Sequence, residues 1–299
     1  MRMSIGSALL AVTLLASGAA VAQSAAGSKA ALATVELVQL SATVERGKQL
    51  VPLAPGVELR QGDRLNTGPQ SRLLLKLADG SYMSMGEKSS LFFDRVQVRD
   101  DGVFDAAIFV AEGAFRFTAA VIGRFVRKRE VSVAVNNVTA GIRGTDFWGK
   151  SSPERDLVCV IHGQVEITPR GEKPFTLDEP LSFYALEGGV SRPVASAPVD
   201  RFREWAAETE EQGGQGVASR GGKWKITAAS PKKLGEAFDV YDALRRAGHA
   251  AEIVPSKAGE ERVYSVRLAN FESERDAKTV VEALKRQAEL AKYNYKVGM

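Results

Sequence analysis

Tyr264-Ser265-Val266-Arg267-Leu268-Ala269-Asn270-Phe271-Glu272-Ser273-Glu274-Arg275-Asp276-Ala277 changes its period part-way along, and that change decides the fold of the C-terminal end. Tyr264, Val266 and Leu268 alternate with Ser265 and Arg267, as in a strand with one buried face. Beyond Ser273 the apolar residues recur as Ala277, Val280, Val281, Leu284 and Ala288, the spacing of one helix face. Ser273, with Asp276 three residues on, supplies the N-cap. A strand over 262–268 therefore passes almost directly into a helix.

Forty residues upstream, Trp224-Lys225-Ile226-Thr227 echoes Tyr264-Ser265-Val266-Arg267. It reads as a strand over 223–228, followed by Ser230-Pro231 as N-cap and first helical residue. Leu234, Phe238, Tyr241 and Leu244 then form one apolar helix face that ends before Gly248. A second strand is expected over 250–254, closed by Pro255, and a last one over 293–297. The order β-α-β-β-α-β predicts an α+β, ferredoxin-like module over 222–299, with a four-stranded antiparallel sheet and both helices on one face. If Ile226, Val266 and Leu268 point to the helices, Lys225, Thr227, Ser265 and Arg267 lie on the open face. Strand two adds Ala251 and Ile253, or Glu252. Strand four adds either Asn294 and Lys296 or Tyr293 and Tyr295, because a slip of one residue exchanges the faces.

From residue 34 to 198 the chain reads as all-β. Leu73, Leu75 and Leu77 alternate, Asp79-Gly80 is a type I′ turn signal, and Tyr82-Met83-Ser84-Met85 returns. Asp100-Asp101-Gly102 repeats the arrangement, and His162-Gly163 separates Leu157–Ile161 from Val165–Ile167. Short strands at this spacing predict a sandwich or a coiled sheet stack. Gly141-Ile142-Arg143-Gly144-Thr145 has the glycines of a phosphate loop but no helix after it, so it reads as a bulge, with Arg143 and Asp146 a structural ion pair. Residues 199–221 join the two parts: a polar helix candidate carrying Phe202 and Trp205, then Gly213, Gly214 and Gly216, with Gly221 and Gly222 beyond, read as a flexible tether.

The first 22 residues have the form of a cleavable export signal: Arg2, an apolar stretch from Ala8, and Ala20-Val21-Ala22 before the expected cut. The apolar stretch is too short to span a bilayer, so the protein is expected in the periplasm with no transmembrane segment once that signal is removed. A lone cysteine, Cys159, excludes an internal disulfide, and its apolar surroundings make it an inert core residue. The net charge is +4, and the basic excess sits at the C-terminal end: Ser219 to Met299 holds 16 Lys and Arg against 11 Asp and Glu. For an exported module this points to an anionic envelope polymer or membrane surface before nucleic acid. His162 and His249 have no spacing that suggests zinc or a catalytic triad. Asp100-Asp101 and Glu260-Glu261 read as exposed turn charges, and the basic run 124–129 as a solvated loop or strand edge. No catalytic residue, metal site or cofactor is expected.

Two family resemblances sharpen this reading. Residues 223–297, through Val266-Arg267-Leu268-Ala269-Asn270-Phe271 and the helix after it, resemble a SPOR domain, a peptidoglycan-binding module of bacterial envelopes. Thr227, Ala229 and Pro231 stand where that family favours glutamine, glycine and an aromatic. Residues 59–167 resemble a FecR domain, a periplasmic module of signalling proteins, through Gln61-Gly62-Asp63-Arg64-Leu65-Asn66-Thr67-Gly68, the Leu73–Met85 hairpin, Ala140-Gly141-Ile142-Arg143-Gly144-Thr145-Asp146-Phe147 and His162-Gly163-Gln164-Val165. The SPOR resemblance implies a glycan-binding sheet face made of Lys225, Thr227, Ser265, Arg267 and Tyr295, with Tyr295 stacking on a sugar ring and Lys225 and Arg267 meeting the lactyl carboxylates of stripped glycan strands. The expected role is a non-catalytic periplasmic adaptor whose partner is wall glycan, with envelope or division proteins as further partners. A FecR-like periplasmic sensor and a wall-cleaving enzyme are the alternatives.

Overall fold

The structure is a computed structural model that describes residues 31–120, 128–259 and 261–299. The expected export signal, the greater part of the basic run and Glu260 lie outside the described residues. So does the side chain of Arg143.

Residues 33–196 form a β-sandwich whose two sheets share their longest strands. One sheet runs, in hydrogen-bonded order, through Ala33–Gln39, Arg72–Leu77, Tyr82–Met85, the ends of Val103–Thr118, Val138–Ser151 and Arg155–Pro169, and Ser182–Glu187. The other starts at Gln49–Pro52 and passes through Ala42–Arg46, Arg64–Thr67 and Ser90–Val98 to the opposite ends of those same three strands, with Lys128–Val135 inserted between two of them. Sharing needs bends, and glycine supplies them. Register shifts between Arg143 and Asp146, where Gly144 has φ +68, and Gly163 on the partner strand has φ +87. A Cβ at Gly163 would stand 2.9 Å from the Gly144 carbonyl oxygen. Arg155–Pro169 is thus one bent strand rather than two strands parted by a turn at His162-Gly163. Inward residues of both sheets, among them Val35, Leu75, Phe117, Phe147, Val44 and Ile167, form one core.

The hairpin Arg72–Leu77 to Tyr82–Met85 forms in the expected register, Leu75 opposite Met83, with a different turn. Gly80 alone takes positive φ, whereas a type I′ turn needs two such residues. Asp79 is held elsewhere: its buried carboxylate accepts from Ser81 N–H (3.0 Å) and Ser81 Oγ (2.7 Å) and pairs with the buried Arg129 guanidinium.

Helix α1 (Val199–Ala207) lies on the outer side of the first sheet. Trp205 stacks on Trp148, centroids 5.3 Å apart and planes 3° from parallel, and meets Phe183 edge-on. Cys159 is buried in the same cluster, and loss of water pushes its thiol up to about 12, so it stays protonated.

The expected tether is ordered by sheet pairing. Val217–Ser219 is a strand that pairs antiparallel with Ala33–Gln39 on one side, while Ala218 pairs with Phe271 on the other. Gly216 is needed there because its φ is +92 and a Cβ would stand 2.8 Å from Leu40. The N–H groups of Gly216 and Val217 both donate to the buried Asp276 carboxylate, at 3.0 and 2.9 Å. Glycine here permits close approach instead of freedom.

Beyond it the order β-α-β-β-α-β is present. The sheet runs Glu252–Ala258, Glu261–Phe271, Trp224–Ala229, Lys296–Gly298, antiparallel throughout. Helix α3 (Glu274–Lys285) starts at the Ser273 cap and buries Ala277, Val280, Val281 and Leu284. Helix α2 (Leu234–Arg246) differs from expectation twice. It begins after Lys233, because the Pro231 carbonyl accepts the Tyr264 N–H at 2.8 Å and leaves the helix path. Its buried face is Ala237, Val240, Ala243 and Leu244, leaving Leu234 43 % and Phe238 49 % exposed. Small residues toward the sheet let the helix approach closely, which turns the larger side chains outward.

Candidate functional site

The open face is set by which residues the helices cover. Ile226, Ala228, Val266 and Leu268 are buried in the C-terminal core. Lys225, Thr227, Ser265 and Arg267 alternate with them along Trp224–Ala229 and Glu261–Phe271 and therefore point away from α2 and α3. Strand pairing brings part of this set into a transverse row: Lys296 is opposite Thr227, Thr227 opposite Arg267, and Arg267 opposite Glu252. Arg267 Nε donates to Glu252 Oε1 at 2.5 Å, which fixes the guanidinium against the sheet while leaving it 30 % exposed. Ser265 Oγ meets Ser230 Oγ at 3.0 Å one step along the strand.

Tyr295 is not part of the row. With Tyr293 and Val297 it packs on the helix-side core, and its hydroxyl donates to the Leu290 carbonyl at 2.9 Å. Burial pushes its phenol up to about 12, the neighbouring Tyr293 adding to the effect. The last strand turns Lys296 outward because Val297 is the residue paired with buried Ile226. Trp224, Tyr264 and Phe271 also belong to the core side. Among the described strand residues the open face thus carries hydroxyl, ammonium, guanidinium and carboxylate groups and no aromatic ring. It can form charge-assisted hydrogen bonds with a polar, anionic polymer, but offers no stacking platform.

Glu252 and Lys296 complete the row, and the sequence left both as one of two alternatives. Only the pairing register, set by the two-residue separation of Ala258 from Glu261 and by the packing of half-buried Val297 on the core, decides between them.

The comparison with family models speaks to the same two regions. Residues 63–166 match the model of the FecR protein family, and residues 221–293 match that of the SPOR domain. The chain carries a FecR domain and a SPOR domain. Its row of outward polar residues therefore lies on the sheet of a SPOR domain, and SPOR domains bind peptidoglycan. FecR and SPOR families are binding and regulatory rather than catalytic. No curated protein matches the chain. Two crystal structures described as a "putative anti-sigma factor" from Parabacteroides distasonis ATCC 8503 are similar to 76 % of this chain, with 92 % and 91 % of their own length covered, 14 % and 13 % identity and a TM-score of 0.38 each.

Among the described residues no helix is long and apolar enough to cross a membrane. The two domains together suggest an envelope-associated protein.

Proposed function

We propose that this chain is a non-catalytic periplasmic adaptor that docks on wall glycan strands through the sheet face of its SPOR domain and presents its FecR domain there. The observation that carries the reading is the row Lys296, Thr227, Arg267 and Glu252, in register across all four strands of a domain whose family binds peptidoglycan. Two cations and a hydroxyl in line suit an anionic polymer, since carboxylates along a glycan chain meet them successively. Lys225 extends the positive charge toward the strand end. The form of residues 1–22, that of an export signal, supports the same reading.

Replacing Lys225, Arg267 and Lys296 with alanine together should release most of the protein from isolated sacculi, with the melting temperature little changed because all three side chains are outside the core. Wild-type retention by this variant would remove the sheet face from consideration.

A sensing role for the FecR domain is the second reading, favoured by the strand Val217–Ser219. That strand pairs with both domains, so a load on the SPOR sheet is borne directly by a strand of the sandwich.

A further inference from the structure

Away from the open sheet face, three distant segments enclose a polar cleft of about 470 Å³. Arg72 and Glu87 reach it from the sandwich, Gln212 and Gln215 from the junction, Glu282 and Arg286 from α3. Its floor is held in place. Buried Gln39 donates through Nε2 to the Gln70 carbonyl at 3.0 Å and accepts from the Gln212 N–H at 2.9 Å. Thr279 Oγ donates to the Gly214 carbonyl at 2.8 Å, and Thr279 and Glu282 follow one another on a single face of α3, with Arg286 at its C-cap.

The hydrogen bonding at the cleft is incomplete. Arg72 donates to the Ser71 carbonyl at 2.9 Å and reaches the Ala207 carbonyl at 3.5 Å, but its Nε is buried with no acceptor among the described residues. Loss of water lowers the pKa of this guanidinium, with Glu87 and Glu208 opposing the shift. A buried donor left unmatched is unfavourable, and most such donors in proteins find an acceptor. Arg286 is exposed and makes no ion pair or hydrogen bond among the described residues. Glu87 accepts from the Gln70 N–H at 2.6 Å and keeps its second oxygen for other donors, while among the described residues Glu282 meets only Lys285, at 3.5 Å.

Two guanidinium groups and two carboxylates around one small space set the ligand's character. A simple anion would meet as many like charges as opposite ones, and a neutral sugar would leave all four unmatched. We propose that the cleft binds a zwitterion of the amino-acid or short-peptide class, its carboxylate held by Arg72 and Arg286, its ammonium by Glu87 and Glu282, and its amides by Gln212 and Gln215. Because the cleft takes groups from the sandwich, the junction and α3, occupation would tighten the join between the two domains.

Titration calorimetry on the purified chain tests this with glycylglycine as the probe. Saturable heat is expected, about tenfold weaker when the amine is acetylated or the carboxylate amidated, the loss that goes with one charged hydrogen bond. Arg286→Gln and Glu282→Gln, both exposed on α3, should each weaken binding similarly, while Lys278→Gln, which pairs with Glu274 at 2.7 Å outside the cleft, should not. No saturable heat with glycylglycine overturns the proposal. So does inorganic phosphate binding as tightly as the dipeptide, which would make this a plain anion site, or equal weakening by Lys278→Gln, which would make it a diffuse charge effect.

Discussion

The sandwich takes charge inside, whereas the SPOR sheet displays it. Asp79 and Arg129 have side chains 0 % and 4 % exposed and are joined in an ion pair beneath the Ala78–Ser81 turn, and Asp63 is gripped by Arg46 Nη2 and Nε at 2.6 and 2.8 Å. On the SPOR sheet, Lys225, Arg267, Glu252 and Lys296 stay at the surface, and among the described residues of that domain only Asp276 and His249 are buried and polar. The sandwich must fix long bent strands against each other, and ion pairs do this at points where glycine has removed side-chain packing. The small sheet needs no such device, since two helices cover one face and pairing alone orders the other. Charge substitution should therefore cost stability in the first region and binding in the second.

The sharpest way to break that contrast is Arg129→Met. It leaves the Asp79 carboxylate buried without its cation, a change that costs about 3 to 5 kcal/mol in comparable settings. Urea denaturation should show the midpoint falling accordingly. A loss no larger than that from Lys225→Ala would mean the two regions do not differ as argued.

Acid offers the next test, through His249. It is buried near the start of Glu252–Ala258, and loss of water pushes its pKa from 6.5 down to about 4, so the folded chain holds it neutral. The unfolded chain takes up a proton below pH 6.5 that the folded chain refuses until about 4. Stability is therefore complete above 6.5 and declines as pH falls across that window, by up to about 3 kcal/mol from this group. His249→Leu should flatten the decline between pH 7 and 4.5 relative to wild type. Parallel curves would assign the acid sensitivity to the carboxylates of the sandwich.

What the sequence made legible follows the same division. Period and capping located the start of α3 to the residue, because Ser273, Asp276 and the spacing of Ala277, Val280 and Leu284 agree with one another, whereas Ala288, expected on the same face, lies beyond the helix end and is exposed. On α2 they succeeded only in part: Leu244 is buried and Tyr241 packs on the core as expected, whereas Leu234 and Phe238 point outward and Ala237, Val240 and Ala243 are buried in their place. The face of Tyr295 is undecidable from sequence for a related reason, as strand four has two faces of similar polarity and only the pairing of Val297 with Ile226 separates them. The glycines at 213–222 carried a compositional signal of flexibility, whereas their function depends on Leu40, Asn270 and Asp276, residues far away in the chain. Contacts that are distant in sequence leave no local period to read.

Asp276 joins the two regions, so its removal is the smaller but more discriminating test. Its carboxylate accepts from Gly216 and Val217 N–H, and its own N–H donates to Ser273 Oγ at 3.1 Å while the Ser273 hydroxyl donates back to it. Asp276→Ala leaves two buried backbone donors of the bridging strand unmatched, at a cost of about 1 to 3 kcal/mol. Asp276→Asn retains one acceptor oxygen and should lose less. If Val217–Ser219 is what makes the domains one unit, the alanine variant should lose hydrogen-exchange protection first at the amides of 216–219, and the SPOR domain should then melt apart from the sandwich. An alanine variant that still unfolds in a single transition with protected 216–219 amides would show that the joint is held by the strand pairing with Ala33–Gln39 and Phe271 alone, and that burying this one carboxylate serves only the helix cap.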